Sequence, residues 1–183
     1  MGWIVMILIV ILALYIISTY NKFVTLKNQG EEAISQIDAH LKQRYDLIPN
    51  LVETVKGYAK HESGTLEAVI KARNAGLGAT TLQEKDEAAA GMTGALKQLF
   101  ALSESYPELK ANTNFLDLQQ QLTALEEKIL SARKYYNAVV KSFNTAIEVF
   151  PGSLVAGLFS AKFRKMEYLK IEEEAKQNVK VQF

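Results

Sequence analysis

His40 and His61 are the only imidazoles in this 183-residue chain, which has no cysteine. Metal or nucleophilic chemistry would need them close together. On one continuous helix they stand about 31 Å apart, too far to share a metal within one chain. No Glu-x-x-His pair exists to supply a di-iron bundle site, and His61-Glu62 is not followed by a histidine in the zincin spacing. Neither a Gly-rich phosphate loop with its Lys-Ser/Thr nor a G-x-S-x-G elbow occurs. Without cysteine, thiol nucleophiles, redox pairs, zinc ribbons and disulfide scaffolds are excluded. The expectation is no catalytic residue, no cofactor and no metal, with an unrecognised enzyme as the weakest alternative.

Two other polar sets stand out. Arg133, Asn137 and Asn144 lie on one strongly patterned segment, the asparagines seven residues apart and so on one flank. They could bind a carboxylate or phosphate. Interhelical hydrogen bonds that fix register are the simpler reading and carry more weight. Glu126 and Glu62 are candidate ion-pair partners for Arg133 and Arg44. The second set surrounds Pro49, which removes the donor due to the Tyr45 carbonyl and should kink its helix. The flanking Asp46 and Asn50 then read either as a contact surface for a partner or as polar repair of the kinked backbone.

The elements that must position these residues are helices. Only three prolines and ten glycines occur, too few for a chain built of turns. The pattern predicts an all-α fold: a membrane helix over 1–21, an elongated antiparallel bundle of about four long helices over 22–178, and a short extended tail over 179–183. The first helix is expected to run out of the membrane to about Ala75. Its stripe is Ile34, Ile37, Leu41, Ile48, Leu51, Val55, Tyr58, Leu66 and Val69, with a stop at Gly76-Leu77-Gly78. Thr81 and Glu84 form a capping box for the second helix, whose Ala88–Ala90, Gly91, Gly94 and Ala95 suggest close packing on a neighbour. Asn114 is the expected cap of the third helix. From Phe115 through Leu118, Leu122, Leu125, Ile129, Ala132, Tyr136, Val139, Phe143 and Ala146 to Phe150, apolar positions alternate by three and four, a coiled-coil-like seam. Ser153 is the expected cap of the fourth helix, running to about Gln177.

Residues 3–17 are unbroken apolar sequence, and Gly2 to Asn21 carries no charge. As a helix this spans about 30 Å, the thickness of a bilayer core, with Trp3, Tyr15 and Tyr20 placed like interfacial aromatics. A cleaved leader is disfavoured, since no basic residue precedes the run and no small-x-small site follows it. Lys22 and Lys27 lie on the C-terminal side, so the positive-inside bias puts the bundle in the cytoplasm and the N-terminus outside. The 21 basic and 20 acidic residues leave a net charge of +1 with no basic run, which argues against nucleic acid.

If helices 2 to 4 pack on the far part of helix 1, the stripe Ile34, Ile37 and Leu41 lacks partners within its own chain. That arrangement predicts burial against other copies or another membrane protein, unless the chain folds back at Pro49. The apolar segment Phe150–Phe159 could dock on the bilayer or on a partner, but a buried corner between two helices is the simpler reading. This arrangement puts it far from the membrane, which disfavours lipid docking by the same molecule. The function expected is a non-enzymatic scaffold that self-associates as a homo-oligomer. The alternative is an adaptor for another membrane protein, contacted through Asp46, Pro49 and Asn50.

Four blocks resemble the LemA family: YNKFVTLK at 20–27, QIDAHLKQRYDLIPNLVETVKGYAKHE at 36–62, YPELKANTNFLDL at 106–118, and ARKYYNAVVKSFNTAIEVFP at 132–151. The resemblance implies a bacterial plasma (inner) membrane protein, single-pass, with a cytoplasmic helical bundle and no established enzymatic activity. It also implies relatives that include a magnetosome-membrane protein, and genes often beside membrane metalloproteases of the HtpX type, a candidate partner class. The chain departs from the family pattern in lacking the proline often seen before the last strand-like residues.

Overall fold

The computed structural model describes residues 1–170. Its elements are α1 (Gly2–Tyr58), α2 (Ser63–Gly78), α3 (Leu82–Ser103), the single turn α4 (Pro107–Lys110), α5 (Thr113–Glu148) and α6 (Gly152–Leu158). No strand occurs among the described residues, and the fold is an all-α helical bundle. The described chain divides into two compact units, one of residues 1–36 and 132–168, the other of 37–131 with 169–170.

The second unit begins with a correction. The first helix does not reach Ala75; it ends at Tyr58, and α2 starts at Ser63. Gly57 weakens the helix just before the break. Reversal there lets Leu66 and Val69 be buried. Tyr45 on α1 meets Arg73 and Gly76 on α2, positions nearly equidistant from the turn, so the two helices form an antiparallel hairpin. Pro49 sits inside a helix that continues past it, and the reversal occurs nine residues later, not at the proline. α3 packs on α2 and opens with the expected capping box, Thr81 accepting from the Glu84 N–H and Glu84 accepting from the Thr81 N–H. The cap of α5 is Asn112 rather than Asn114: its side-chain oxygen accepts from the Phe115 N–H at 2.9 Å. Both asparagines suit the role chemically, and the earlier start of the helix at Thr113 selects the first.

In the first unit the α5 seam is buried through Phe143, then shifts to Ile147, leaving Phe150 78% exposed. The helix has ended at Glu148 by then. α6 is seven residues long and shorter than expected. Ser153 lies inside it and caps nothing; Pro151 holds the cap position. From Phe163 to Lys170 the chain has no helix. Phe163 instead joins Phe23, Phe143, Ile147, Val155 and Ala156 in a core cluster, with Ile16 and Tyr20 against its edge. The corner between α5 and α6 therefore lies beside the membrane-proximal turns of α1, opposite to the expectation. The Glu172–Glu174 run and the tail Val179–Phe183 lie outside the described residues.

Candidate functional site

The polar centre of the second unit is Arg44, fully buried on α1. Its Nη1 donates to Glu126 Oε2 at 2.5 Å and to Thr93 Oγ1 at 3.3 Å, and its Nη2 donates to the Ala89 carbonyl at 3.2 Å. Thr93 in turn donates to Glu126 Oε1 at 2.8 Å. Helices α1, α3 and α5 thus meet at one guanidinium, whose rigid fork suits a three-way junction better than an ammonium would. Glu126 pairs with Arg44, not Arg133. Glu62 lies elsewhere and accepts from the Tyr106 hydroxyl at 3.0 Å. That bond, with partial burial and the Glu62 charge, pushes the Tyr106 phenol above its ordinary range.

At the next residue of α1, the carbonyl that Pro49 leaves without a donor finds one. Arg73 Nε donates to the Tyr45 oxygen at 3.0 Å. The Tyr45 ring is buried against Gly76, where an added Cβ would overlap the phenol. The proline gap is therefore closed by a residue from α2. Asp46, Pro49 and Asn50 face outward and are exposed; only the Asn50 main chain takes a local bond, from the Thr54 hydroxyl. Arg73 was not foreseen, although the unsatisfied Tyr45 carbonyl called for some buried donor.

The proximal stripe is not bare. Ile37 and Leu41 are each 5% exposed, and Ile34 is half-buried, within a single chain. Asp38 beside them pairs with Lys85 of α3 at 2.7 Å. The expectation of an uncovered stripe is corrected. It assumed that the first helix ran on to Ala75 and that the later helices packed only on its far part, whereas the break at Tyr58 brings the partner helices back along it.

In the first unit Asn144 holds a backbone. Its Nδ2 donates to the Met166 carbonyl at 3.0 Å and its Oδ1 accepts from the Met166 N–H at 2.9 Å. The Tyr136 hydroxyl donates to the Glu167 carbonyl at 2.9 Å, and burial, followed by the Glu167 charge, raises that phenol's pKa. The side chains of α5 thus replace the helical bonds that residues 166–167 forgo. The interhelical hydrogen bond expected of Asn144 is replaced by a pair of bonds to the backbone of a non-helical segment. Arg133 and Asn137 are engaged in interactions of their own.

No group of three or more His, Asp or Glu side chains that could hold a metal occurs among the described residues. His61 is exposed in the 59–62 turn, while His40 is half-buried on α1. Surface depressions follow open helix faces; one is lined by Leu116, Gln119, Gln120, Thr123, Ala124 and Glu127 of α5 alone. The N-terminal part of α1 is long and apolar enough to cross a membrane, and no residue of its most apolar stretch is fully buried among the described residues.

Comparison with known proteins agrees with this geometry. Protein LemA of Metamycoplasma hominis is 28% identical over 140 residues, covering 74% of this chain and 63% of the relative. Magnetosome protein MamQ of Magnetospirillum gryphiswaldense is 24% identical over 175 residues, covering 81% of this chain and 64% of that protein. Magnetosome protein MamQ 1 of Paramagnetospirillum magneticum is 23% identical over 177 residues, with 82% and 64% covered. The chain spans a little under two thirds of the length of these relatives, and none of their names denotes an enzyme. The LemA family model matches residues 33–183, most of the bundle. With that match over four-fifths of its length, the chain belongs to the LemA family.

Proposed function

We propose that this protein is a non-enzymatic, membrane-anchored helical scaffold that assembles with further copies of itself, α1 crossing the bacterial plasma membrane and the bundle lying in the cytoplasm. The observation that carries the reading is how the interior polar groups are engaged. The Arg44 junction and the Arg73 bond hold helices together, while α3 keeps an outward face with open space at Gly91 and Gly94, where an added Cβ would meet nothing. A second helix can approach closely there. The magnetosome naming of the MamQ relatives fits a role in membrane organisation, and Lys22 and Lys27 after the apolar run favour the cytoplasmic side.

In-cell cross-linking followed by native mass determination in mild detergent tests the proposal. Masses in multiples of the chain's own are expected, collapsing towards a monomer in a Gly91→Leu/Gly94→Leu variant. Both replacements raise helix propensity by about 1 kcal/mol each, so a loss of assembly cannot be assigned to unfolding. A monomer in the unchanged protein refutes self-association.

The adaptor reading is favoured by a different observation. Because Arg73 closes the Pro49 gap, the Asp46 and Asn50 side chains have no repair role and stand on an exposed face. This reading expects one mass that includes a different membrane protein, an HtpX-type protease being a candidate, and its loss on Asp46→Lys.

A further inference from the structure

The outward face of the corner between α5 and α6 is apolar where a solvated corner would be polar. Phe150, Leu154 and Leu158 are 78%, 63% and 72% exposed, with Val149 and Phe159 beside them. Leu154 and Leu158 share one face of α6 at the i, i+4 spacing, while Val155 and Ala156 on the opposite face are buried in the core cluster. In GSLVAGL the only polar side chain is Ser153. A helix apolar on both faces needs an apolar medium on both sides.

Its location supplies that medium. The cluster beneath the corner reaches Ile16 on α1, and Tyr20 meets the rings of Phe159 and Phe163 edge-on, with centroids 5.0 and 5.3 Å apart. The first charged residue of α1 is Lys22. At helical rise, Tyr20 lies about 3 Å and Ile16 about 9 Å on the membrane side of it. Side chains seated on Ile16 and Tyr20 thus stand at the depth where interfacial helices bury their apolar faces, about 5–10 Å into the headgroup and acyl boundary. The charges agree. Lys162 donates to the Tyr20 hydroxyl at 2.5 Å and lies 4.8 Å from its ring centroid. Arg164 and Lys165 follow it, three cations against the two carboxylates Glu148, which pairs with Lys165, and Glu167. Such a basic rim around an apolar tip suits anionic lipid headgroups.

We propose that the α5–α6 corner is a second membrane contact, a wedge that inserts Phe150, Leu154 and Leu158 into the leaflet from which α1 emerges. One spanning helix leaves a protein free to tilt and to rotate about its axis. A lateral apolar contact a few residues from the exit point removes both freedoms and fixes which side of the first unit faces the lipid. The proposal rests on the reading that α1 crosses the membrane, and the native Trp3 separates the two claims.

The full-length protein is reconstituted in vesicles of phosphatidylcholine with about one third phosphatidylglycerol, including lipids brominated near the carboxyl end of the acyl chain. Two versions are compared, the native protein with Trp3 as its only tryptophan, and a Trp3→Phe/Leu154→Trp variant. Leu154 is exposed, so the replacement has room, and an unchanged far-UV circular dichroism spectrum confirms the fold. The Leu154→Trp emission is expected to shift to the blue and to fall by roughly half with brominated lipid, as for an interfacial residue, independently of the protein-to-lipid ratio. A further Phe150→Glu/Leu158→Glu change in that variant should abolish the quenching, while the same two replacements in the native background should leave the Trp3 response as before. Quenching of Trp3 without quenching at position 154 overturns the wedge and leaves the anchor standing. A blue shift at position 154 that ignores brominated lipid and fades as protein is diluted in lipid also overturns it, assigning the corner to a second copy of the chain. Quenching at neither position overturns the membrane anchor itself.

Discussion

The two units are held by opposite chemistry. The second is organised around a guanidinium with no solvent exposure, tied to a carboxylate, a hydroxyl and a carbonyl from two other helices. The first is organised around rings: Phe23 and Phe143 lie on either side of Phe163, at 5.2 and 6.4 Å between centroids, with Tyr20 and Phe159 at the edge. Ring burial is non-directional, at about 1.5–3 kcal/mol per side chain, and tolerates small shifts between neighbours. A buried ion pair gains little net stability over apolar packing but penalises every alternative register, because a displaced guanidinium is left uncompensated. The ring cluster therefore supplies adhesion beside the apolar N-terminal turns of α1, and the Arg44 junction supplies register among α1, α3 and α5.

The comparison is broken most directly at Glu126. Glu126→Ala leaves the Arg44 charge buried with only Thr93 and the Ala89 carbonyl, and should lower unfolding free energy by about 3 kcal/mol, the low end for a severed buried pair because the Glu126 side chain is 42% exposed. Arg44→Met should cost less, since the freed carboxylate can hydrate. Urea titration of the full chain in detergent, followed at the helical circular dichroism band, measures both. Equal losses would mean that Arg44 contributes as an ordinary packing side chain.

In the first unit the most consequential polar contact is the one that Asn144 makes with Met166. Asn144→Leu keeps the volume but strands one N–H and one C=O, at about 1–3 kcal/mol. The loss should be local. Amide exchange over 163–170 should accelerate while the Arg44 region keeps its protection, and a uniform acceleration would show that the two units unfold as one.

These side chains also mark the limits of what was legible. Local apolar pattern identified the stretch of α1 that is long and apolar enough to cross a membrane and nearly the whole α5 seam, because each is written in neighbouring residues. The Thr81–Glu84 box was legible for the same reason. Arg44 and Glu126 were named as candidate ion-pair residues and Asn144 as a candidate register bond, yet their partners lie 82 residues away for the Arg44–Glu126 pair and 22 for Asn144–Met166, separations that no local rule reaches. The two largest errors share a cause. Reading α1 through to Ala75 ignored that Leu66 and Val69 are better buried by a reversal, and reading α6 to Gln177 ignored that Asn144 and Tyr136 offer the backbone partners other than its own. Gly76 read as a helix stop, and α2 does end two residues later; its absent Cβ also makes room for the Tyr45 ring.

The smallest expected effect tests whether polar bonds outside the buried junction are as well formed as those within it. The Glu84 carboxylate accepts from the Thr81 and Thr80 N–H groups and from the Thr80 hydroxyl. These bonds, the one from the Thr81 backbone foremost, lower its pKa from 4.5 to about 2. The folded state then holds this proton less tightly than the unfolded state does, so the cap's contribution is whole above about pH 4.5 and is lost as pH falls towards about 2. The Thr80 and Thr81 amide proton shifts, followed by NMR from pH 6 downward in micelles, should move with a midpoint near the lower value and stay flat in Glu84→Gln. A midpoint at the ordinary glutamate value would mean that the box is open in solution. The start of α3 would then depend on its packing against α2 and on the Lys85–Asp38 pair with α1.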